Sequence, residues 1–289
     1  VTSSYLDRLG ERSRATGTVL CLGLDPDPGS IPERFTTGVG GLERFAALVL
    51  EAALPHVAAV KPNLAFFEAF GSAGIAALER LRASIPPDVP VIADAKRGDI
   101  GSTAARQAVA LFDVLGADAV TVSPYLGEEA IRPLLEREDR FAYVLCRTSN
   151  PGAGEVQDLT VDADPGAGGA GRERLHERIA RLATGWGPGG TVGLVVGATA
   201  PEELATIRRI APGLPFLVPG VGAQGGEIDP VLRDGPATAA PGVGRPGSGL
   251  LVNVSRGIAR AASGGADDDP GERLAQAAAD WASRLPVLP

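Results

Sequence analysis

Eight short apolar runs punctuate the chain, at 18–24 (TVLCLGL), 57–61 (VAAVK), 90–95 (PVIADA), 118–122 (DAVTV), 142–146 (AYVLC), 192–197 (VGLVVG), 215–218 (PFLV) and 249–254 (GLLVNV). Each is continuous instead of alternating, which is the pattern of a strand covered on both faces in a parallel sheet. Between them, apolar residues recur at helical spacing, most clearly over 41–54, 66–83, 102–115, 126–137, 171–184, 201–210 and 271–285. Strand then helix, repeated along the chain, predicts an α/β fold, a (β/α)8 TIM barrel. Such a barrel takes about 250 residues. It would use nearly all of the 289 present, so a single domain over 1–289 is expected.

The seventh unit departs from the rhythm. After 215–218 comes a Gly/Pro-rich stretch, 219–248, in which only Pro230–Asp234 offers a helical turn. A second Gly-rich insertion, 151–171, follows the fifth run. Loops of that length in a compact domain are expected to be lids, with solvated padding as the plainer alternative.

A net charge of −8 and a pI near 4.9 argue against a nucleic-acid partner or an anionic membrane surface, so an anionic ligand would need a local positive pocket. No stretch reaches the roughly 18 apolar residues needed to cross a bilayer, and residues 1–17 are polar with no export-signal pattern. A cytoplasmic location is therefore expected. Cys21 and Cys146 each sit inside an apolar run and are expected to be buried thiols, not a disulfide.

The cations are the most biased part of the composition: only Lys61 and Lys96 are lysines, against 25 arginines. Where charge alone suffices arginine has been used, so the two surviving lysines mark positions that need a compact ammonium able to release a proton. In barrels the chemistry sits at the C-terminal strand ends. There the chain carries Asp25, then Lys61 and Asn63, then Asp94, Lys96 and Asp99, then Ser123, with Ser149 beyond the fifth run. Period-two alternation sends Asp94 and Lys96 to one side of their strand and Val91 and Ala93 to the other. Lys61 and Asp99 are expected to extend that pair into an alternating charge network, either reactive or a structural cluster that stiffens the mouth.

At the seventh and eighth ends, Pro219-Gly-Val-Gly-Ala-Gln-Gly-Gly226 exposes backbone N–H groups, Gln224 adds an amide, and Arg256 offers a bidentate fork. Together they suggest a phosphate site, whereas the glycines alone could simply make turns. His56 and His176 lie in or beside helical segments and pair with no ligand-spaced partner. The acidic run Asp267–Asp269 precedes the last helix as an N-terminal charge cluster. No metal and no cofactor is expected.

With these residues in order along the chain, the sequence resembles the orotidine 5′-phosphate decarboxylase family. Asp94-Ala-Lys96-Arg-Gly-Asp99-Ile100 is similar to that family's Asp-x-Lys-x-x-Asp signature; Leu22-Gly-Leu-Asp25-Pro, Val60-Lys61-Pro-Asn63 and Pro219–Gly226 are similar to its other strand-end motifs. Asp94–Thr103 (DAKRGDIGST) and the chain length resemble its longer, mycobacterial-type branch. The resemblance implies conversion of orotidine monophosphate to uridine monophosphate. It implies that Asp25 and Lys61 bind ribose hydroxyls, Asp94 and Lys96 flank the reacting carbon, Ser149 hydrogen-bonds the pyrimidine, and Gln224 and Arg256 hold the phosphate. Asn63 and Pro219 join the substrate-binding set with their motifs. Asp99, Ile100 and Thr103 would reach into a neighbouring subunit's site, which implies a homodimer.

One departure is Val-Gly-Ala-Thr199 at the sixth strand end, where some relatives place a pyrimidine-contacting serine just before the threonine. Ala198 is therefore left without a role, and Thr199 is a candidate only. Rival readings are a Mg-dependent sugar-phosphate decarboxylase or aldolase barrel, a lysine Schiff-base aldolase, and a non-catalytic nucleotide-binding barrel.

Overall fold

The computed structural model describes residues 3–35, 38–163, 166, 171–263 and 269–288. Its strands are β1 (Leu20–Leu24), β2 (Ala59–Pro62), β3 (Ile92–Arg97), β4 (Ala119–Val122), β5 (Phe141–Arg147), β6 (Thr160–Asp162), β7 (Arg172–Arg174), β8 (Val192–Val196), β9 (Phe216–Pro219) and β10 (Leu251–Val254). Eight of them form one parallel sheet in the order β2-β1-β10-β9-β8-β5-β4-β3, and β6 and β7 make a separate antiparallel hairpin. Two parallel bridges, Val60 to Val91 and Asn63 to Asp94, join β2 to β3 and close the ring. The eight apolar runs of the sequence are the eight barrel strands.

Alternation divides each strand between two environments. Cys21, Ala59, Ile92, Ala119, Phe141, Tyr143, Val195, Leu217 and Leu251 fill the inside of the ring. Their neighbours, among them Leu22, Val60, Val91, Val120 and Val252, face the surrounding helices in the larger core. Two residues further along the same inward-facing track lie Gly23, Lys61, Asp94, Thr121, Pro219 and Asn253, so a polar layer rests directly on an apolar one.

The helices are α1 (Tyr5–Thr16), α2 (Gly38–Ala53), α3 (Ala65–Glu68), α4 (Gly71–Ser84), α5 (Gly101–Ala108), α6 (Arg132–Leu135), α7 (Gly154–Gln157), α8 (Leu175–Ala183), α9 (Pro201–Ile210), α10 (Ile228–Asp234), α11 (Arg256–Ala259) and α12 (Pro270–Arg284). Several depart from the segments read from periodicity. Residues 66–83 split into α3 and α4 where Gly71 takes φ +61°. Residues 126–137 give only a 3-10 turn (Glu128–Ala130) and α6, because Pro133 has no N–H to continue a helix upstream. Residues 102–115 end in a π-helical stretch, Val109–Val114, and 171–184 begins as β7. In the 219–248 loop the expected turn is present as α10.

Helix α1 was hidden in a segment that reads as polar. Its buried stripe, Tyr5, Leu6, Leu9, Gly10 and Ser13, is narrow, and the rest of its surface is charged. Ser4 caps its start by accepting from Asp7 N–H (3.2 Å), and Gly17 ends it at φ +70°. Tyr5, Leu6 and Leu9 join the inner cluster, with Tyr5 stacked on Phe141 at 4.8 Å and its hydroxyl 3.2 Å from that of Tyr143. The helix is thus a plug under the barrel, and each of its two leucines contributes about 1.5–3 kcal/mol by burial.

Both cysteines are free and buried. Burial pushes the Cys21 thiol up to about 12, so it behaves as a small apolar group. Asp267 and Asp268 and most of 164–170 lie outside the described residues. Asp269 caps α12, its Oδ1 accepting from Gly271 N–H at 2.8 Å.

Candidate active site

The polar layer is organised by one carboxylate. Lys61 Nζ donates to Asp94 Oδ2 and Lys96 Nζ to Asp94 Oδ1, each at 2.6 Å. The only two lysines of the chain therefore meet at the same residue. Lys61 is 5% and Asp94 9% exposed, whereas the Lys96 side chain is half exposed and rises into the mouth. Burial alone would lower the Lys61 pKa, but the Asp94 and Asp25 carboxylates outweigh it and hold the ammonium well above the ordinary lysine value. Burial alone would raise Asp94, and Lys61 and Lys96 hold it well below the ordinary carboxylate range instead.

Lys96 is aimed by an irregular backbone. The β3–β4 register shifts between Ala93 and Arg97, and Lys96 takes φ +47°, rare for a residue with a side chain. Thr121, on β4, spans the gap. Its hydroxyl accepts from Ala95 N–H (3.1 Å) and Lys96 N–H (3.0 Å) and donates to Asp94 Oδ1 (2.8 Å). Sequence reading passed over Thr121 because a lone threonine in DAVTV looks like any β-branched strand residue. Its inward-facing parity with Ala119 was the available signal.

Asp99 stands outside this network. It forms no ion pair with a described residue, and its Oδ1 accepts from Ile100 N–H at 2.8 Å. The expected extension of the charge network to Asp99 is thus absent within one chain. Asp99 N–H donates to Ala130 O (3.1 Å) and Ser123 N–H to Arg97 O (2.7 Å), which ties the β3 and β4 loops together. On these adjoining loops Ile100 is 61%, Tyr125 84% and Leu126 53% exposed. Thr103 is exposed at the start of α5. Asn63 Oδ1 accepts from Ala65 N–H (3.3 Å), which starts the short helix after β2.

Across the mouth, Asp25, Pro219, Gln224, Asn253, Ser255 and Arg256 line one cleft of about 70 Å³. Gly23 makes room for it: a Cβ there would lie 2.7 Å from Ser255 Cβ and 3.0 Å from Asn253 Nδ2. Asp25 Oδ1, Asn253 Oδ1 and Ser255 Oγ are buried with no hydrogen-bond partner among the described residues, so the cleft presents polar atoms in want of a ligand. Asn253 and Ser255 stand beside Arg256 at the eighth strand end, but sequence alone gives them no role, since Asn253 sits inside an apolar run and only its inward parity distinguishes it. Gly220, at φ +99°, lets the loop pass close to Ser149; a Cβ there would lie 2.9 Å from Ser149 Cβ and 3.0 Å from Gln224 Oε1. Thr199 Oγ1 donates to the Ser149 carbonyl at 3.2 Å, so Ser149, Thr199 and the Gln224 loop form one wall.

His176 is buried away from this mouth, its Nδ1 2.9 Å from Gln157 O and 3.2 Å from Asp158 Oδ1. His56 ends a 3-10 turn before β2. Among the described residues, no group of three or more His, Cys, Asp or Glu side chains has a metal-binding arrangement.

A parallel (β/α)8 barrel with a Lys–Asp–Lys cluster at its C-terminal rim, beside a cleft walled by Arg256 and a glycine-rich loop, belongs to the class of barrel enzymes acting on phosphorylated ligands. Within that class the chain belongs to the orotidine 5′-phosphate decarboxylase / HUMPS family, whose model matches residues 18–267. It is 44% identical over 274 residues to an orotidine 5′-phosphate decarboxylase of Herpetosiphon aurantiacus, covering 94% of this chain and 96% of that protein. The structure of Leishmania donovani OMP decarboxylase is similar with a TM-score of 0.79 at 37% identity, covering 97% of this chain and 98% of that one. Leishmania donovani UMP synthase is similar with a TM-score of 0.81 at 40% identity; 98% of this chain is covered, but it spans only 56% of that longer one.

Proposed function

We propose that this chain decarboxylates orotidine 5′-phosphate to uridine 5′-phosphate, with Lys96 as proton donor. The observation that carries the reading is the Lys61–Asp94–Lys96 cluster at the barrel mouth, one rim away from the cleft of Gln224 and Arg256. A 5′-nucleotide bound by its phosphate in that cleft would span towards the lysines, with Asp25 and Lys61 on the ribose, Ser149 on the pyrimidine and Asn63 and Pro219 completing the walls.

The bond from C6 to the carboxylate breaks, CO2 leaves and the electron pair stays on carbon. Lys96, a fixed cation beside that carbon, stabilises the developing charge and transfers a proton to form the product C–H bond; its amine is then reprotonated from water. Asp94, held anionic, repels the substrate carboxylate until CO2 departs, a ground-state cost offset by binding of the remote phosphate.

The same reading makes the protein a homodimer with shared sites, in which Asp99, Ile100 and Thr103 serve the partner. The exposed apolar group Ile100, Tyr125 and Leu126 and the isolation of Asp99 from its own network support it. The motif DAKRGDIGST supports the longer, mycobacterial-type branch. Two unpaired thiols accord with a cytoplasmic location. The deciding experiment follows orotidine 5′-phosphate absorbance with purified, chelator-treated protein. Loss of absorbance with formation of uridine 5′-phosphate is expected; activity that vanishes with the chelator would favour a metal-dependent relative, and nucleotide binding without turnover a non-catalytic barrel.

A further inference from the structure

Asp94 has two oxygens, and they are not equivalent. Oδ2 takes Lys61 alone, while Oδ1 takes both Lys96 and Thr121. A threonine hydroxyl has one proton and two lone pairs. At Thr121 both lone pairs are occupied by backbone N–H groups, those of Ala95 and Lys96, which have lost their ladder partners at the register shift. The single proton is therefore committed to Asp94 Oδ1. An ordinary hydroxyl could rotate and accept a proton from a neutral carboxylic acid; this one has nothing left to accept with.

We propose that Thr121 is a positioning residue, fixing the bulge that aims Lys96 and acting as a one-way donor that keeps Asp94 an acceptor. The second role matters when an anionic group arrives. A carboxylate facing a second carboxylate escapes repulsion by taking up a proton. Thr121 blocks that escape at Oδ1, and Lys61 already occupies Oδ2. The catalytic part of this inference rests on the reading of Asp94 and Lys96 as flanking the reacting carbon; the positioning part does not.

Thr121→Val keeps the shape and removes the hydroxyl, and Thr121→Ser keeps the hydroxyl. The groups facing Asp94, namely Lys61 from β2, Lys96 from β3 and Cys21 from β1, are the same in both variants, as is Asp25, which lies just past β1 and acts on Lys61. Since Thr121 is 2% exposed and its hydroxyl is fully used by Ala95, Lys96 and Asp94, Thr121→Val is expected to lower kcat by about 10- to 100-fold, the range of a hydrogen bond to a charged group, with KM within about threefold. Thr121→Ser is expected to stay within about threefold of the parent on both, as retention of that bond requires. Titration of the Asp94 carboxyl by 13C NMR, assigned by its absence in Asp94→Asn, is expected to move to higher pH in the valine variant and to stay put in the serine variant. Should the valine variant fail to fold, Thr121→Ala carries the same expectations. A hydroxyl-free variant with parental kcat, or with an unmoved Asp94 titration, overturns the proposal, as does a serine variant that falls as far as valine. If the parent protein does not turn over orotidine 5′-phosphate, the functional reading fails and the NMR arm alone judges Thr121.

Discussion

Lys61 and Asp94 form an ion pair of 2.6 Å that is almost wholly inside the barrel. Breaking a buried pair from one side leaves an uncompensated charge and costs about 3–5 kcal/mol, whereas replacing both members costs far less. Asp94→Asn is expected to destabilise the fold on that scale, and Lys61→Met with Asp94→Asn to recover most of the loss, as measured by urea unfolding. A double variant no more stable than the single one would show that the pair is not coupled.

The same pair sets a pH dependence. Asp94 is held below its ordinary value, so its contribution is complete above roughly pH 4, the unfolded carboxylate range, and is lost as pH falls towards the depressed value. Lys61 is held above its ordinary value, so its contribution is complete below roughly pH 10.4 and is lost as pH rises towards the raised one. The stability difference between the parent and the double variant Lys61→Met with Asp94→Asn, which lacks both groups, is expected to be flat between about pH 5 and 9 and to shrink outside that window. A difference that varies steadily across neutral pH would assign the dependence to other groups.

Lys96 is half exposed and Asp94 keeps Lys61 when it is removed, so no buried charge is left unpaired and folding is expected to survive. Lys96→Ala is expected to cut turnover by about a thousandfold or more, the equivalent of roughly 4 kcal/mol of transition-state stabilisation. Lys96→Arg is not expected to rescue it, because a planar guanidinium neither fits the same point nor gives up its proton. Steady-state turnover of either variant near the parental level would remove Lys96 from the chemistry.

Arg256 lines the cleft together with Gln224. Arg256→Ala is expected to lower kcat/KM on orotidine 5′-phosphate by about 100-fold, the scale of a charge-assisted bidentate contact, and to leave the phosphate-free nucleoside nearly unaffected. Equal losses on the two substrates would make Arg256 a support of the fold or of the base site.

Asp99 gives opposite outcomes for cis and trans roles. Lys96→Ala and Asp99→Asn subunits are co-refolded so that they exchange. In a mixed dimer, the site on the Asp99→Asn subunit keeps its own Lys96 and receives Asp99 from its partner. Random pairing makes about half the dimers mixed, so roughly a quarter of all sites regain full activity if a two-fold dimer shares its sites. Activity no higher than the mean of the two parents, with exchange verified by differential tags, refutes sharing.

The barrel was readable because buried parallel strands need continuous apolar runs, and all eight are present in order. The lysines were readable because arginine replaces lysine everywhere else in the chain. What the sequence concealed depended on three-dimensional closure. Thr121 meets Asp94, and Asn253 the cleft, only because the ring points them inward, and each looks unremarkable within its own strand. Helix α1 hid because a plug touches the barrel along a narrow stripe and leaves most of its surface charged. Helix breaks at Gly71 and Pro133 shortened segments whose periodicity ran on past them.

The plug under the barrel also fixes the direction of traffic. With Tyr5, Leu6 and Leu9 packed beneath the ring and stacked on Phe141, the lower end offers no passage. Anything that reaches Lys96 must arrive and leave through the upper opening, past the Gln224 loop. For a reaction that releases a small gas from a large nucleotide, entry and both exits then share one doorway.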